Sequence, residues 1–104
     1  MKRYLLQIAV VAGLGFISHG ALADGAALAQ KGGCMTCHGV DARKVGPAFK
    51  DISTKYKDQN VEDMLIKKIK EGGRGAWGPL PMPPNAGKLS DDEFKSVVTW
   101  IISL

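Results

Sequence analysis

The chain has 104 residues, of which 45% are hydrophobic and 23% charged, an ordinary globular composition with room for one small domain. That length excludes multidomain enzymes and repeat arrays, and two cysteines are too few for a disulfide scaffold or a four-cysteine zinc site. The formal charge is +4, but part of it belongs to an N-terminal segment with the pattern of an export leader.

In that segment Lys2 and Arg3 form a basic start, Tyr4 to Ile17 is apolar except for Gln7, and Ala21-Leu22-Ala23 supplies the A-x-A pattern that a signal peptidase reads. The pattern predicts cleavage after Ala23, with residues 1–23 a leader and residues 24–104 the exported, periplasmic domain. The alternative is a membrane anchor. The apolar run is about 14 residues where a spanning helix needs roughly 20, and no stop-transfer charges follow, so no stable membrane insertion is expected. Removing 23 of 104 residues leaves 81, and without Lys2 and Arg3 the balance is 12 basic against 10 acidic side chains, a net of +2. Scattered charge so near balance gives no support for nucleic-acid binding. His19 leaves with the leader, so His38 is the only imidazole of the remaining chain. A histidine relay, a two-histidine zinc site and a catalytic triad are thereby excluded. A chain this short gains from a prosthetic group that fills its centre.

The first helix is expected from Asp24, as its cap, through Ala26, Ala27, Leu28 and Gln30 to Gly32-Gly33, where the backbone comes close to a neighbour. Cys34-Met35-Thr36-Cys37-His38 follows. In a C-x-x-C-H run two thiols on one turn can add to the vinyl groups of a haem while the next residue turns its imidazole onto the iron. The competing readings are a redox dithiol, a structural disulfide and half a zinc site. The first lacks a βαβ context, and the last lacks a fourth ligand other than a carboxylate.

Pro47 is expected to open a second short helix with Phe49, Ile52 and Tyr56 on one face. Asn60 is expected to cap a third, with Glu62 and Asp63 in its first turn, Lys67, Lys68 and Lys70 near its end and Gly72-Gly73 to stop it. The spacing of Val61, Met64, Leu65 and Ile69 reads as an apolar stripe, which makes Met64 core filler rather than a ligand. Met35 sits inside the attachment motif and cannot reach the far side of a haem. That leaves Met82 as the sixth ligand, in Trp77-Gly78-Pro79-Leu80-Pro81-Met82-Pro83-Pro84-Asn85, where prolines make a stiff extended segment able to hold a weak thioether ligand. His/Met ligation raises the haem potential and closes the iron to exogenous ligands, which suits electron transfer. The last helix is marked by a capping box, Ser90 with Glu93, and by a staple of Leu89 against Phe94. Phe94, Val97, Val98, Ile101 and Leu104 recur at helical spacing and are expected to pack on the first helix or the haem. No strand or hairpin is expected.

From Cys34-x-x-Cys37-His38 through Val45-Gly46-Pro47-Ala48, Lys68-Ile69-Lys70-x-Gly72 and Trp77-Gly78-Pro79-x-Pro81-Met82-Pro83-Pro84-Asn85, residues 24–104 resemble the small class I bacterial monohaem cytochromes c of the cytochrome c-551 (cytochrome c8) type. The resemblance implies an all-α fold of about four short helices around one haem c, attached through Cys34 and Cys37. His38 and Met82 would be its axial ligands. The Pro47 carbonyl would accept the Nδ1 proton of His38, Trp77 would hydrogen-bond a haem propionate, and Asn85 would orient Met82. Lys68 would stand near a propionate where such proteins often carry arginine, giving a weaker pair. Ala29 stands where an aromatic is sometimes found, which implies looser packing of the first helix.

The function implied is that of a monomeric, non-enzymatic, one-electron carrier of the periplasm. It would take electrons from a quinol-oxidising complex or another cytochrome and deliver them to a terminal reductase, with nitrite reductase of the haem c and haem d type the acceptor the family suggests. Met35, Ala48, Leu80 and the prolines beside Met82 would rim the exposed haem edge. Arg43, Lys44, Lys55, Lys57 and Lys88 are candidate steering charges. Three alternatives stay open: a haem-based ligand-binding sensor or peroxidase-like enzyme with an open sixth site, a haem-free redox or metal-binding module, and a subunit of a larger complex.

Overall fold

The computed structural model describes Gly13 and residues 21–104. Except for Gly13 and Ala21 to Ala23, the leader expected over residues 1–23 lies outside the described residues. Helix α1 spans Ala21–Lys31, so Asp24 sits in its first turn rather than at its cap. The difference follows from Ala21-Leu22-Ala23, good helix formers that carry the helix back past Asp24. The acid still faces the positive end of the helix dipole. Gly33, in the left-handed region at φ 78°, turns the chain into a single 3-10 turn at Cys34–Thr36.

Helix α2 covers Phe49–Tyr56, with Ala48 rather than Pro47 at the boundary. Pro47 stays outside the helix because its carbonyl is turned toward His38. Helix α3 covers Glu62–Glu71 and starts from Val61, with no side-chain cap. The expected Asn60 cap falls one residue early, since the Val61 carbonyl already accepts the first helical bond from Leu65 at 2.9 Å. Gly72, at φ 74°, ends α3 and donates its N–H to the Lys68 carbonyl.

Strands β1 (Gly73–Gly75) and β2 (Gly78–Met82) then pair antiparallel, which corrects the expectation that the chain lacks strands. Gly73 pairs with Met82 and Gly75 with Gly78, so Arg74 alone faces Pro79-Leu80-Pro81. Prolines cannot donate to a ladder, and a ribbon with two free edges tolerates the bow they impose.

Helix α4, Asp91–Ser103, carries the expected capping box. Ser90 N–H donates to Glu93 Oε1 at 3.0 Å and Glu93 N–H to Ser90 Oγ at 3.2 Å. Leu89 and Phe94 both lie in the buried cluster with Ala29, Phe49, Val97, Trp100 and Ile101. Helix α4 is the spine on which α1, α2 and α3 all pack. Ala29 is 0% exposed, so α1 is tightly packed there, contrary to the expectation of looseness. Gly25 explains the close approach: a Cβ there would run into Trp100 Cβ and stand 2.8 Å from the Ser96 carbonyl. The Ser53 hydroxyl, buried in α2, donates to the Ile102 carbonyl at 2.8 Å and fastens the end of α4. Among the described residues no helix is long and apolar enough to cross a membrane.

Candidate haem site

The attachment motif is locked by its own backbone. Cys37 and His38 both donate to the Cys34 carbonyl, at 3.2 and 3.0 Å, and Gly46 N–H donates to the Cys37 carbonyl at 2.7 Å. That last bond folds Arg43 to Pro47 back over the motif. Gly46 then lies against the imidazole so closely that a Cβ would stand 2.5 Å from His38 Cε1 and 2.8 Å from Nδ1. His38 is buried, stacks on Phe49 with centroids 5.0 Å apart, and Phe49 meets Trp100 edge-on at 5.3 Å. The imidazole is thus packed through Phe49 onto α4.

His38 Nδ1 lies 2.7 Å from the Pro47 carbonyl. A carbonyl only accepts, so Nδ1 carries the proton and Nε2 keeps a free lone pair. Cys34 and Cys37 are half-buried free thiols. Burial pushes the Cys34 thiol up, against a backbone hydrogen bond and Lys88 that pull it down.

These residues line one cavity of about 1340 Å³, its open mouth included. Of the residues singled out in the sequence, Cys34, Cys37, His38, Pro47, Lys68, Trp77 and Met82 all line it; Asn85 does not. Its amide donates to the Pro83 carbonyl at 2.9 Å and the Ile69 carbonyl at 3.2 Å. Its hold on Met82 therefore runs through the backbone of the next residue. The Asn85 and Ala86 N–H groups also bond the Ile69 and Lys70 carbonyls, so the segment after Met82 satisfies the orphan end of α3. Gly72 permits this, because a Cβ there would stand 2.5 Å from the Met82 carbonyl and 2.9 Å from Pro84 N.

Some expectations for the rim are corrected. Ala48 is 1% exposed and Met35 packs against the core cluster, and neither lines the cavity. Leu80 (59% exposed) and Val45 (53%) do; a lone valine before Gly-Pro carries no periodic signal that would mark Val45 as a rim residue. Met64 is not core filler: it is 46% exposed and lines the cavity. The stripe it belongs to faces the cavity through Leu65 and Ile69, and Met64 falls at its open side. Lys55 is not a free surface charge either. Its ammonium donates to the Ala76 carbonyl at 3.1 Å and stands over the Trp77 ring. Lys44 donates to the Met35 carbonyl at 3.0 Å.

The walls are built from Phe49, Ile52, Leu65, Val97, Val98 and Ile101; among the described residues Arg43, Lys68 and Arg74 are the only charged ones on the lining, and no carboxylate joins them. Two thiols, an imidazole with a free Nε2 and a thioether opening on an apolar cavity with cationic residues are the donor set and surroundings that a haem with acidic tails requires.

The comparisons agree with this reading. Residues 22–104 match the family model described as cytochrome c. Cytochrome c-551 of Allochromatium vinosum is 49% identical over 85% of this chain and 93% of its own length. Cytochrome c-551 of Pseudomonas aeruginosa is 42% identical over 99% of this chain and 98% of its own. The crystal structure of wild-type cytochrome c552 from Nitrosomonas europaea superposes with a TM-score of 0.72 at 46% identity, covering 76% of this chain and 98% of that one. The chain therefore belongs to the cytochrome c family, a small electron carrier of the class I fold with one covalently bound haem c at Cys34 and Cys37.

Proposed function

We propose that His38 and Met82 are the axial ligands of the haem iron, and that the protein is a monomeric, diffusing, one-electron carrier. The observation that carries this reading is the His38 to Pro47 hydrogen bond of 2.7 Å in a cavity that Met82 also lines. Haem, when bound, supplies the one-electron ferric/ferrous couple. The residues of the chain do the rest. Pro47 fixes the tautomer and orientation of His38 and raises its basicity. Gly72 and Asn85 pin the proline-rich segment to α3, so that Met82 need not move between oxidation states. The apolar walls keep water out, and Trp77 with Lys68 faces the acidic tails.

Visible and near-infrared spectra of the ferric and ferrous forms, with and without carbon monoxide, test the ligand set. Wild type is expected to be low-spin, to show the weak iron–thioether charge-transfer band and to ignore carbon monoxide; Met82→Ala is expected to lose all three properties. A wild-type ferrous haem that binds carbon monoxide at once, unchanged by the substitution, overturns the reading in favour of an open-site sensor or peroxidase-like enzyme.

The same reading places the protein in the periplasm after cleavage following Ala23, on the strength of the leader pattern. The expected N-terminal residue of the matured protein is Asp24, and an uncut chain in the membrane fraction overturns this. Its donor is a quinol-oxidising complex or another cytochrome. Its acceptor is a terminal reductase, and the family resemblance favours nitrite reductase of the haem c and haem d type. Mixing the reduced protein with that enzyme in a stopped-flow experiment tests the pairing; oxidation no faster than by an unrelated oxidase overturns it.

A further inference from the structure

We propose that Arg74, on β1, clamps the acidic tails of the haem together with Lys68, an inference that rests on the cavity being the haem site. Two cations line the cavity where α3 gives way to the ribbon. Lys68 reaches forward from the last turn of α3 until its Nζ lies over Gly73, where a Cβ would stand 2.9 Å from it. Gly73, at φ 149°, accepts this approach because it has no side chain. The next residue is Arg74, and both it and Lys68 line the cavity.

Neither cation has a carboxylate partner among the described residues: the ion pairs there are Lys31 with Glu93, Lys50 with Asp41 and Lys70 with Asp91. Two cations on the lining of one cavity, neither paired with a carboxylate among the described residues, call for an anion supplied from the cavity. The ribbon register points the same way. Arg74 is the one residue of β1 between its two paired glycines, and it faces the bowed Pro79-Leu80-Pro81. A bulge of this kind aims a side chain out of the regular ladder.

A guanidinium suits the role because its planar fork bonds a carboxylate through two parallel N–H groups, where the Lys68 ammonium is a point charge. The consequence is electrostatic. A carboxylate paired with Arg74 stays ionised across the neutral range, so its titration is kept away from the working pH and the reduction potential is flat there. Without Arg74 the carboxylate protonates at a higher pH, and the potential falls as pH rises through that window, because each new negative charge favours the ferric state.

The test is the reduction potential of the holoprotein between pH 5 and 9 for wild type, Arg74→Gln, Arg74→Lys and Lys68→Gln. Arg74→Gln is expected to move the onset of the pH-dependent fall upward by about one pH unit, with Arg74→Lys recovering part of the shift. An Arg74→Gln profile that superposes on wild type overturns the proposal, whether or not Lys68→Gln moves; so does a change seen only in the salt dependence of partner binding. The iron–thioether band, recorded on the same samples, keeps the outcomes apart: its presence in Arg74→Gln shows that haem and ligand set are intact, and its absence from wild type refutes the ligand reading instead.

Discussion

The ammonium of Lys55 stands 4.6 Å from the centre of the Trp77 ring while donating to the carbonyl of Ala76 at 3.1 Å. One side chain thereby joins α2 to the turn of the β ribbon, two elements that line the cavity through Tyr56 and Trp77. An exposed cation–π contact contributes about 0.5–1 kcal/mol and a hydrogen bond a similar amount. Lys55→Ala is expected to destabilise the holoprotein by about 1 kcal/mol and to lower Tm by roughly 4–8 °C, with Lys55→Arg retaining most of the stability. A thermal melt that is unchanged by Lys55→Ala assigns Lys55 back to the solvated surface.

Gly46 sets the position of His38 by having no side chain. A Cβ there would stand 2.5 Å from Cε1, and the ring has little room to give because it is also stacked on Phe49. Gly46→Ala is expected to cost about 1–3 kcal/mol through overpacking and to weaken the Nδ1 bond to Pro47. With His38 on the iron, a weaker bond makes the imidazole less basic, so the potential should rise. Voltammetry of the purified variant checks the direction, and a fall in potential contradicts it.

At the crossing of α1 and α4 two opposing effects can be weighed. Replacing a helical glycine by alanine normally gains about 1 kcal/mol, which makes Gly25→Ala look favourable from sequence. In the structure the new methyl meets Trp100 Cβ and the Ser96 carbonyl, atoms on or next to the backbone of α4 that cannot swing aside. Overpacking of this kind costs about 1–3 kcal/mol, so the clash wins. The urea midpoint should fall with an unchanged slope; a rise would mean that the helices part without cost.

These positions show what was legible in the sequence. The attachment motif, the Met82 segment and the Ser90–Glu93 box could be read because each is a local pattern whose chemistry is complete within a few residues. The ribbon could not: β1 is Gly-Arg-Gly and β2 holds two prolines, so neither has the alternation that marks a strand, and the pairing is a matter of backbone alone. Gly25 against Trp100, Lys55 against Trp77 and Lys68 over Gly73 are contacts made only once elements distant in the chain, or a long side chain, have been placed. Met64 misled for a related reason. Its spacing identifies an apolar face correctly, but periodicity does not say whether that face meets protein or a prosthetic group.

Glu93 gives the fold a predictable response to acid. Its carboxylate accepts from the Ser90 N–H at 3.0 Å and pairs with Lys31 at 2.9 Å, which ties the start of α4 to the end of α1. The Ser90 backbone bond first, and Lys31 second, hold the Glu93 carboxyl below the usual carboxylate range. A group with a lowered pKa in the folded state contributes stability that is present above its unfolded value, near 4.5, and is lost as pH falls through the lower folded value. Glu93→Gln keeps an oxygen for the Ser90 N–H but cannot pair with Lys31. It should therefore be less stable than wild type at pH 7, and the two melting temperatures should converge as pH is lowered below 4.5. Ser90→Ala removes the other half of the box, and its cost of about 0.5–2 kcal/mol should persist at low pH because a hydroxyl does not titrate there. Melting curves of the three proteins at several pH values distinguish the two halves; parallel losses for both variants would mean that the ionisation of Glu93 contributes nothing.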